Sequence, residues 1–202
     1  MFVDVVGEDL VTQTIIERLI RQYRQDLKVR NFLPARGGQI KNLAPMYNKL
    51  GHPIILLTDL DTYECPPELI SDWFGEDDLN KHFLFRIAYG EAESWLMADR
   101  EGFAKWSSVN VDLIPHSKII DRRKMISELE FPYKPSLYMM REIIPHSINK
   151  EFLENLMPKE GAKKGPAYNS TMIPFVKQDW NIENAAQHST SLCRTIEKLK
   201  QY

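Results

Sequence analysis

His52-Pro-Ile-Ile-Leu-Leu-Thr-Asp-Leu-Asp61 decides how the rest of the chain is read. Pro53 to Leu57 is an unbroken apolar run bounded by Gly51 and by Thr58-Asp59, the pattern of a short strand buried on both faces. Such a strand belongs in the middle of a parallel sheet. In open α/β sheets ligands bind beyond the carboxyl ends of the strands, so Asp59 and Asp61 emerge where such folds keep their chemistry. Two carboxylates held this close repel each other, and a hard cation such as Mg²⁺ is the usual remedy.

Working outward, the same unit recurs on both sides. Phe2 to Val6 is a β-branched strand leading into Gly7-Glu8-Asp9, and Leu10, Ile15, Ile16, Leu19, Ile20 and Tyr23 then follow helical spacing. Val29 to Leu33 reads as a second strand, and Pro34-Ala-Arg36-Gly-Gly38 as a loop whose glycines permit close approach to a ligand. Ile40 to Leu50 is a helix. After the aspartates, Cys65-Pro-Pro opens a helix that runs to Phe74, because proline suits a first helical turn. His82 to Tyr89 is another apolar strand, and it runs into Gly90-Glu91-Ala-Glu93. Glu8, the pair Asp59 and Asp61, and Glu91 or Glu93 therefore all follow strands. In right-handed βαβ units these ends share one edge of the sheet.

Past about residue 100 the alternation fades. Helices are expected over 122–129, 137–144, 150–156, 172–180 and 182–199, separated by prolines. We therefore divide the chain into a metal-binding α/β core at 1–105 and a mainly helical extension, packed on that core, at 106–202. The extension carries a basic loop, Pro158-Lys-Glu-Gly-Ala-Lys-Lys-Gly-Pro166, in which Lys163 and Lys164 lie beside glycine as in a phosphate-facing loop.

Composition narrows the partners. With 26 Lys+Arg against 28 Asp+Glu, the net charge of −2 supplies no global positive field. Any contact with nucleic acid has to come from a local basic surface, a bound metal or a basic partner. Cys65 and Cys193 have no metal-type spacing, nor do His52, His82, His116, His146 and His188, so zinc and a disulfide framework are not expected. No apolar run is long enough to cross a bilayer, and Met1-Phe-Val-Asp4 lacks a basic stretch before an apolar core. The expectation is a soluble cytoplasmic protein with reduced thiols and no membrane partner. Oligomeric state is left open, a homo-oligomer included.

Val5-Val-Gly-Glu8, Leu57-Thr-Asp-Leu-Asp61, Glu91-Ala-Glu-Ser-Trp-Leu-Met-Ala-Asp99 and Tyr168-Asn with Ser191-Leu, in this order, resemble the toprim domain. The resemblance is nearest to small stand-alone toprim-like proteins, akin to the overcoming-lysogenisation-defect nucleases, that are encoded beside ATPases in bacterial defence loci. It implies a toprim-like, Rossmann-like, mostly parallel sheet flanked by helices. It also implies a Mg²⁺- or Mn²⁺-dependent endonuclease, a hydrolase cleaving phosphodiester bonds of DNA, or of tRNA or other RNA, in antiphage defence with a partner ATPase. On this likeness Glu8, Asp59, Asp61 and Glu93, with Glu91 as the alternative to Glu93, are metal ligands. Glu8 is also a general base, and Lys164 an assisting cation with Lys163 beside it. Arg36, Lys163 and Lys164 are placed on the substrate. One departure is that Gly7 alone precedes Glu8, where the family carries a fuller glycine-rich turn.

Each residue also has a plainer reading. Glu8 is equally a first-turn acid favoured by the helix dipole. Glu91 and Glu93, two apart, point about 200° from one another on a helix and do not serve one metal together. Asp99 reads as a helix-closing acid or a partner of Arg100, Trp95-Leu-Met97 as core, and Arg36 as an exposed loop residue. Two other functions compete: a non-catalytic toprim-like regulatory or docking subunit of an ATPase complex, and a haloacid-dehalogenase-like phosphatase. The phosphatases also use Asp-x-Asp after a strand but continue to a threonine where this chain has Tyr63. The chain has no Gly-x-x-x-x-Gly-Lys-Ser/Thr motif, so any ATP dependence comes from another protein.

Overall fold

Strand and helix alternate through the first half of the computed structural model, which describes residues 1–35, 38–162 and 164–202. The order is β1 (Phe2–Gly7), α1 (Leu10–Tyr23), β2 (Lys28–Leu33), α2 (Gln39–Asn48), β3 (Ile54–Asp59), α3 (Pro66–Phe74) and β4 (Phe83–Ala88). The strands form one parallel sheet in the order β2-β1-β3-β4, with Gly7 of β1 opposite Leu57 and Asp59 of β3 opposite Ala88. The fold class is α/β with a parallel sheet, as the apolar runs predict, and Rossmann-like, as the resemblance implies.

Alternate residues of each strand face opposite sides. Val6, Ile54, Leu56, Phe83, Phe85 and Ile87 share a core with Ile40, Ala44 and Tyr47 of α2 and Leu69 and Phe74 of α3. The other face, with Val3, Val5, Ile55 and Leu57, is covered by α1, which buries Val11, Ile15, Ile16, Leu19 and Ile20. Leu10, expected on the same stripe, is exposed.

The chain divides into two compact units, Met1–Tyr89 with Arg194–Tyr202, and Gly90–Cys193. The sequence placed its boundary some way later, near 105. Gly90, at φ 71°, ends the α/β alternation, and the helices after it bury their apolar residues among later helices of the second unit. That unit contains α4 (Glu93–Ala98), α5 (Arg100–Ser107), β5 (Ser117–Asp121), β6 (Ile126–Leu129), α6 (Pro135–Tyr138), α7 (Lys150–Leu156), α8 (Tyr168–Pro174), α9 (Ile182–His188) and the start of α10 (Thr190–Gln201). Single π turns prolong α6 over Met139–Ile143 and α8 over Phe175–Asp179. Trp95, Leu96, Met97, Phe103, Met140, Phe175 and Trp180 are buried, as core residues should be. The Trp180 indole donates to the Trp95 carbonyl at 3.2 Å.

One expected helix is absent. Residues 122–129 form the turn and second strand of an antiparallel hairpin, β5 with β6. Ile119, Ile120 and Ile126 favour strand. The Asp121 side chain then closes the turn by accepting the N–H groups of Arg123 at 2.9 Å and Lys124 at 3.3 Å. Among the described residues no helix is long and apolar enough to cross a membrane. Cys65 and Cys193 are both free thiols.

Candidate active site

The strand order 2-1-3-4 reverses direction between β1 and β3. In doubly wound sheets the crevice beyond the carboxyl ends of those two strands is where ligands bind. Glu8 follows β1 directly, Asp59 ends β3, and Asp61 lies in the turn after it, so all three emerge at this switch point.

Glu8 is not the helix cap. Asp9 takes that role, accepting the Thr12 N–H at 2.8 Å and its hydroxyl at 2.9 Å. Gly7 lets the strand end approach α1, since a Cβ there would lie 3.0 Å from the Gln13 nitrogen. Glu8 is thereby left to turn across to β3, where the buried Thr58 hydroxyl donates to Glu8 Oε1 at 2.9 Å. Burial pushes the Glu8 carboxyl above its ordinary pKa of 4.5, and the negative charges of Asp61 and Asp9 push it further. Hydrogen bonds from Thr58 and the Asp59 backbone oppose that rise. A partly buried carboxyl with a raised pKa, beside other acids, is suited to accept a proton.

Strand β3 stops at Asp59, so Asp59 and Asp61 do not continue one strand face. The Leu60 N–H still donates to the Ala88 carbonyl at 2.9 Å, and Leu60 is buried. Asp61 then adopts φ 51°, a left-handed backbone that is unfavourable for most side chains and more tolerable for aspartate.

In the second unit the acids separate into two kinds. Glu91 precedes α4 and spans to α6: its Oε2 accepts the Ser136 N–H at 2.7 Å, and Lys134 lies 3.5 Å from Oε1. Asp99 accepts the Asn181 N–H at 2.9 Å and the Asn184 side-chain amide at 2.7 Å, fixing the start of α9. It does not hold Arg100, which donates to the carbonyls of Val111 and Ile114. Glu128 accepts the Ser191 N–H at 2.5 Å and the Ser189 hydroxyl at 2.7 Å at the start of α10. These three buried acids satisfy N–H groups at helix beginnings, which have no partner inside the helix.

Glu93 differs. Its Oε1 accepts from the Lys164 ammonium at 3.0 Å and from the Tyr168 hydroxyl at 2.6 Å, and the same ammonium sits 4.1 Å from the centre of the Tyr168 ring. Gly165 holds Lys164 in place, because the chain there runs against Leu156: a Cβ at 165 would lie 2.3 Å from the Leu156 carbonyl carbon. Two of the expected site residues, Glu93 and Lys164, are thus joined. Arg36 and Lys163 lie outside the described residues.

Thr58 and Tyr168 are the partners that residue-type reasoning passed over. Thr58 is the first polar residue after the apolar run of β3, and Tyr168 follows the basic loop by a few positions. Either signal marks them in retrospect.

Among the described residues no group of three or more histidine, cysteine, aspartate or glutamate side chains is gathered to hold a metal ion. The Asp61 charge is nonetheless near enough to oppose ionisation of Glu8. That suits Mg²⁺, which is commonly held by one or two carboxylates, with water and substrate phosphate completing its shell. Compared with protein-family models, with curated proteins and with solved structures, the chain matches none.

Proposed function

We propose that the chain is a Mg²⁺- or Mn²⁺-dependent nuclease of toprim type, cleaving phosphodiester bonds in DNA, or in tRNA or other RNA, beside a separately encoded ATPase in antiphage defence. The observation that carries this reading is the placement of Glu8, Asp59 and Asp61 at the β1/β3 switch point, with Glu8 raised in pKa by burial and by Asp61. We assign Glu8, Asp59 and Asp61 as the carboxylates of the first unit that hold the ion. When bound, the ion polarises a phosphate and lowers the pKa of water. Glu8 accepts the proton of the attacking water, and the Thr58 hydroxyl keeps its carboxylate oriented. Lys164, which donates to Glu93, keeps the assisting role that the resemblance gives it. Glu91, anchored on α6, is the less suited of the two neighbouring glutamates.

Purified protein incubated with DNA and with tRNA, in Mg²⁺ or Mn²⁺, with and without its ATPase, tests this reading. Cleavage is expected to stop in EDTA and in Asp59→Ala and Asp61→Ala proteins that retain their circular dichroism. Either variant cutting like the parent defeats the metal site.

The absence of a three-donor cluster among the described residues favours a second reading, a regulatory or docking subunit without catalysis. Silence under every condition, with ATPase binding intact, is its signature. A phosphatase of haloacid-dehalogenase type is less well supported: Asp59 ends the third strand, whereas those enzymes usually carry their aspartates on the first. Hydrolysis of small phosphate monoesters would favour it.

A further inference from the structure

We infer that Tyr63 is a positioning residue that fixes Asp61 at the proposed metal site and thereby sets the preference of that site for Mg²⁺ over Ca²⁺. The inference rests on the reading of Glu8, Asp59 and Asp61 as metal-binding carboxylates, and on the anchoring of the Asp61 turn for its mechanism.

Asp61 stands in a turn that has to be held. Its backbone is at φ 51°, and such a conformation in a residue other than glycine persists only where the surroundings over-determine it. Asp61 and Thr62 are both exposed, so burial holds neither of them. The residues on either side supply the restraint. Leu60 is buried in the core that the sheet shares with α2 and α3, and its N–H donates to the Ala88 carbonyl at 2.9 Å. Tyr63 closes the turn: its N–H donates to the Leu60 carbonyl at 3.1 Å, and its side chain packs against the same core.

The Tyr63 hydroxyl extends the anchor to both helices on that face. It accepts the Trp73 indole N–H at 3.2 Å and donates to Asp72 Oδ2, and the Lys41 ammonium donates to the same oxygen at 2.5 Å. Asp72 and Trp73 belong to α3 and Lys41 to α2. Trp73 is in turn set against Phe85 of β4, with ring centres 5.7 Å apart. Lys41 and Asp72 are 46% and 44% exposed, and an ion pair so placed contributes little to folding. What the pair does here is hold the phenol, and through the phenol the turn that carries Asp61.

The ions translate that restraint into selectivity. Mg²⁺ demands near-octahedral geometry with oxygens at about 2.0–2.1 Å, whereas Ca²⁺ accepts a flexible shell at about 2.3–2.6 Å. A carboxylate on a restrained turn suits the exacting ion. One on a loosened turn adapts to either, so loss of the anchor weakens Mg²⁺ binding more than Ca²⁺ binding.

The test titrates protein freed of metal by EDTA and dialysis with Mg²⁺ and with Ca²⁺, using isothermal titration calorimetry. Circular dichroism and urea unfolding check the fold of each variant. Tyr63→Phe keeps the ring and removes the hydroxyl. It is expected to lose about tenfold in Mg²⁺ affinity, the lower end of what the loss of supporting contacts costs a metal site, and less than about threefold in Ca²⁺ affinity. Asp72→Ala, an exposed change that leaves the phenol in place, is expected to act in the same direction. Asp77→Ala removes a similarly exposed ion pair, with Lys49 at the far end of α2, and should bind both ions as the parent does. In Asp61→Asn protein, Tyr63→Phe should weaken residual Mg²⁺ binding no further, because its effect runs through Asp61. Equal losses for the two ions overturn the inference, as does a further loss in the Asp61→Asn background. If the parent binds Mg²⁺ and Tyr63→Phe and Asp72→Ala match it, the inference fails and the metal-site reading stands. A parent that binds neither ion overturns both.

Discussion

The Lys164 ammonium donates to Glu93 Oε1 at 3.0 Å, joining residues 71 positions apart; the acid's side chain is 7% exposed and the base's 35%. The unequal burial makes the pair asymmetric. Removing the lysine leaves a buried carboxylate with only the Tyr168 hydroxyl from this cluster, whereas removing the acid leaves an ammonium that reaches water. Lys164→Met is expected to cost about 1–3 kcal/mol and to abolish cleavage. Glu93→Gln should cost less, and the double variant should lose less than the sum of the two. Urea unfolding of the four proteins measures the coupling, and additive losses would show that the pair does not act as one unit.

Glu8 is held at a cost to stability when no cation is present, because burial and Asp61 both oppose its charge. Glu8→Gln should therefore melt at or above the parent's temperature in EDTA. Mg²⁺ should raise the melting temperature of the parent and leave the variant unmoved. Equal stabilisation of both proteins would place the ion elsewhere.

Asp4 supplies the pH dependence. It is buried, and it accepts Arg30 through two bonds of 3.0 and 2.7 Å, the Asn31 amide at 3.0 Å, and pairs with His52 Nε2 at 2.9 Å. The Arg30 hydrogen bonds, chiefly, hold its carboxyl below the ordinary 3.8. Its folded pKa is depressed, so its contribution is complete above about pH 4 and is lost as pH falls through the folded value. Asp4→Asn should cost about 2 kcal/mol near neutrality. The gap to the parent should close progressively below pH 4 in denaturant titrations; a gap constant down to pH 2 would assign the loss to shape and not charge.

Gly165→Ala puts a Cβ into the Leu156 backbone, which has no side-chain freedom with which to yield. We expect a loss of about 1–3 kcal/mol, together with displacement of Lys164 and reduced cleavage. A fully active, equally stable alanine variant would show that the loop positions Lys164 by other means.

What local sequence reveals here is the sheet and its outlets. Phe2–Gly7, Ile54–Asp59 and Phe83–Ala88 are apolar runs whose burial and β-branching speak for themselves, and the acids that follow them are visible by position. The partners of buried acids are not visible in this way. Glu91 and Glu93 differ by two positions and by similar burial, yet one receives a backbone N–H of α6 and the other a lysine and a tyrosine. Only tertiary packing distinguishes them. The hairpin is not legible in sequence because residues 122–129 mix charge and apolar groups with no clean period, and the turn that fixes them depends on the Asp121 side chain. Nothing in Asp-Leu-Asp announces the left-handed turn at Asp61.

The helix-anchoring acids of the second unit also bear on how that unit is made. Glu91 reaches forward 45 residues to Ser136, Asp99 reaches 82 to Asn181, and Glu128 reaches 63 to Ser191. During synthesis each carboxylate leaves the ribosome well before the amide that neutralises its burial. Until residues 189 to 191 have emerged, Glu128 lacks the hydroxyl and N–H donors that the start of α10 brings to it. The second unit should thus acquire its protease resistance late and in one step, when the final helix supplies its first N–H groups.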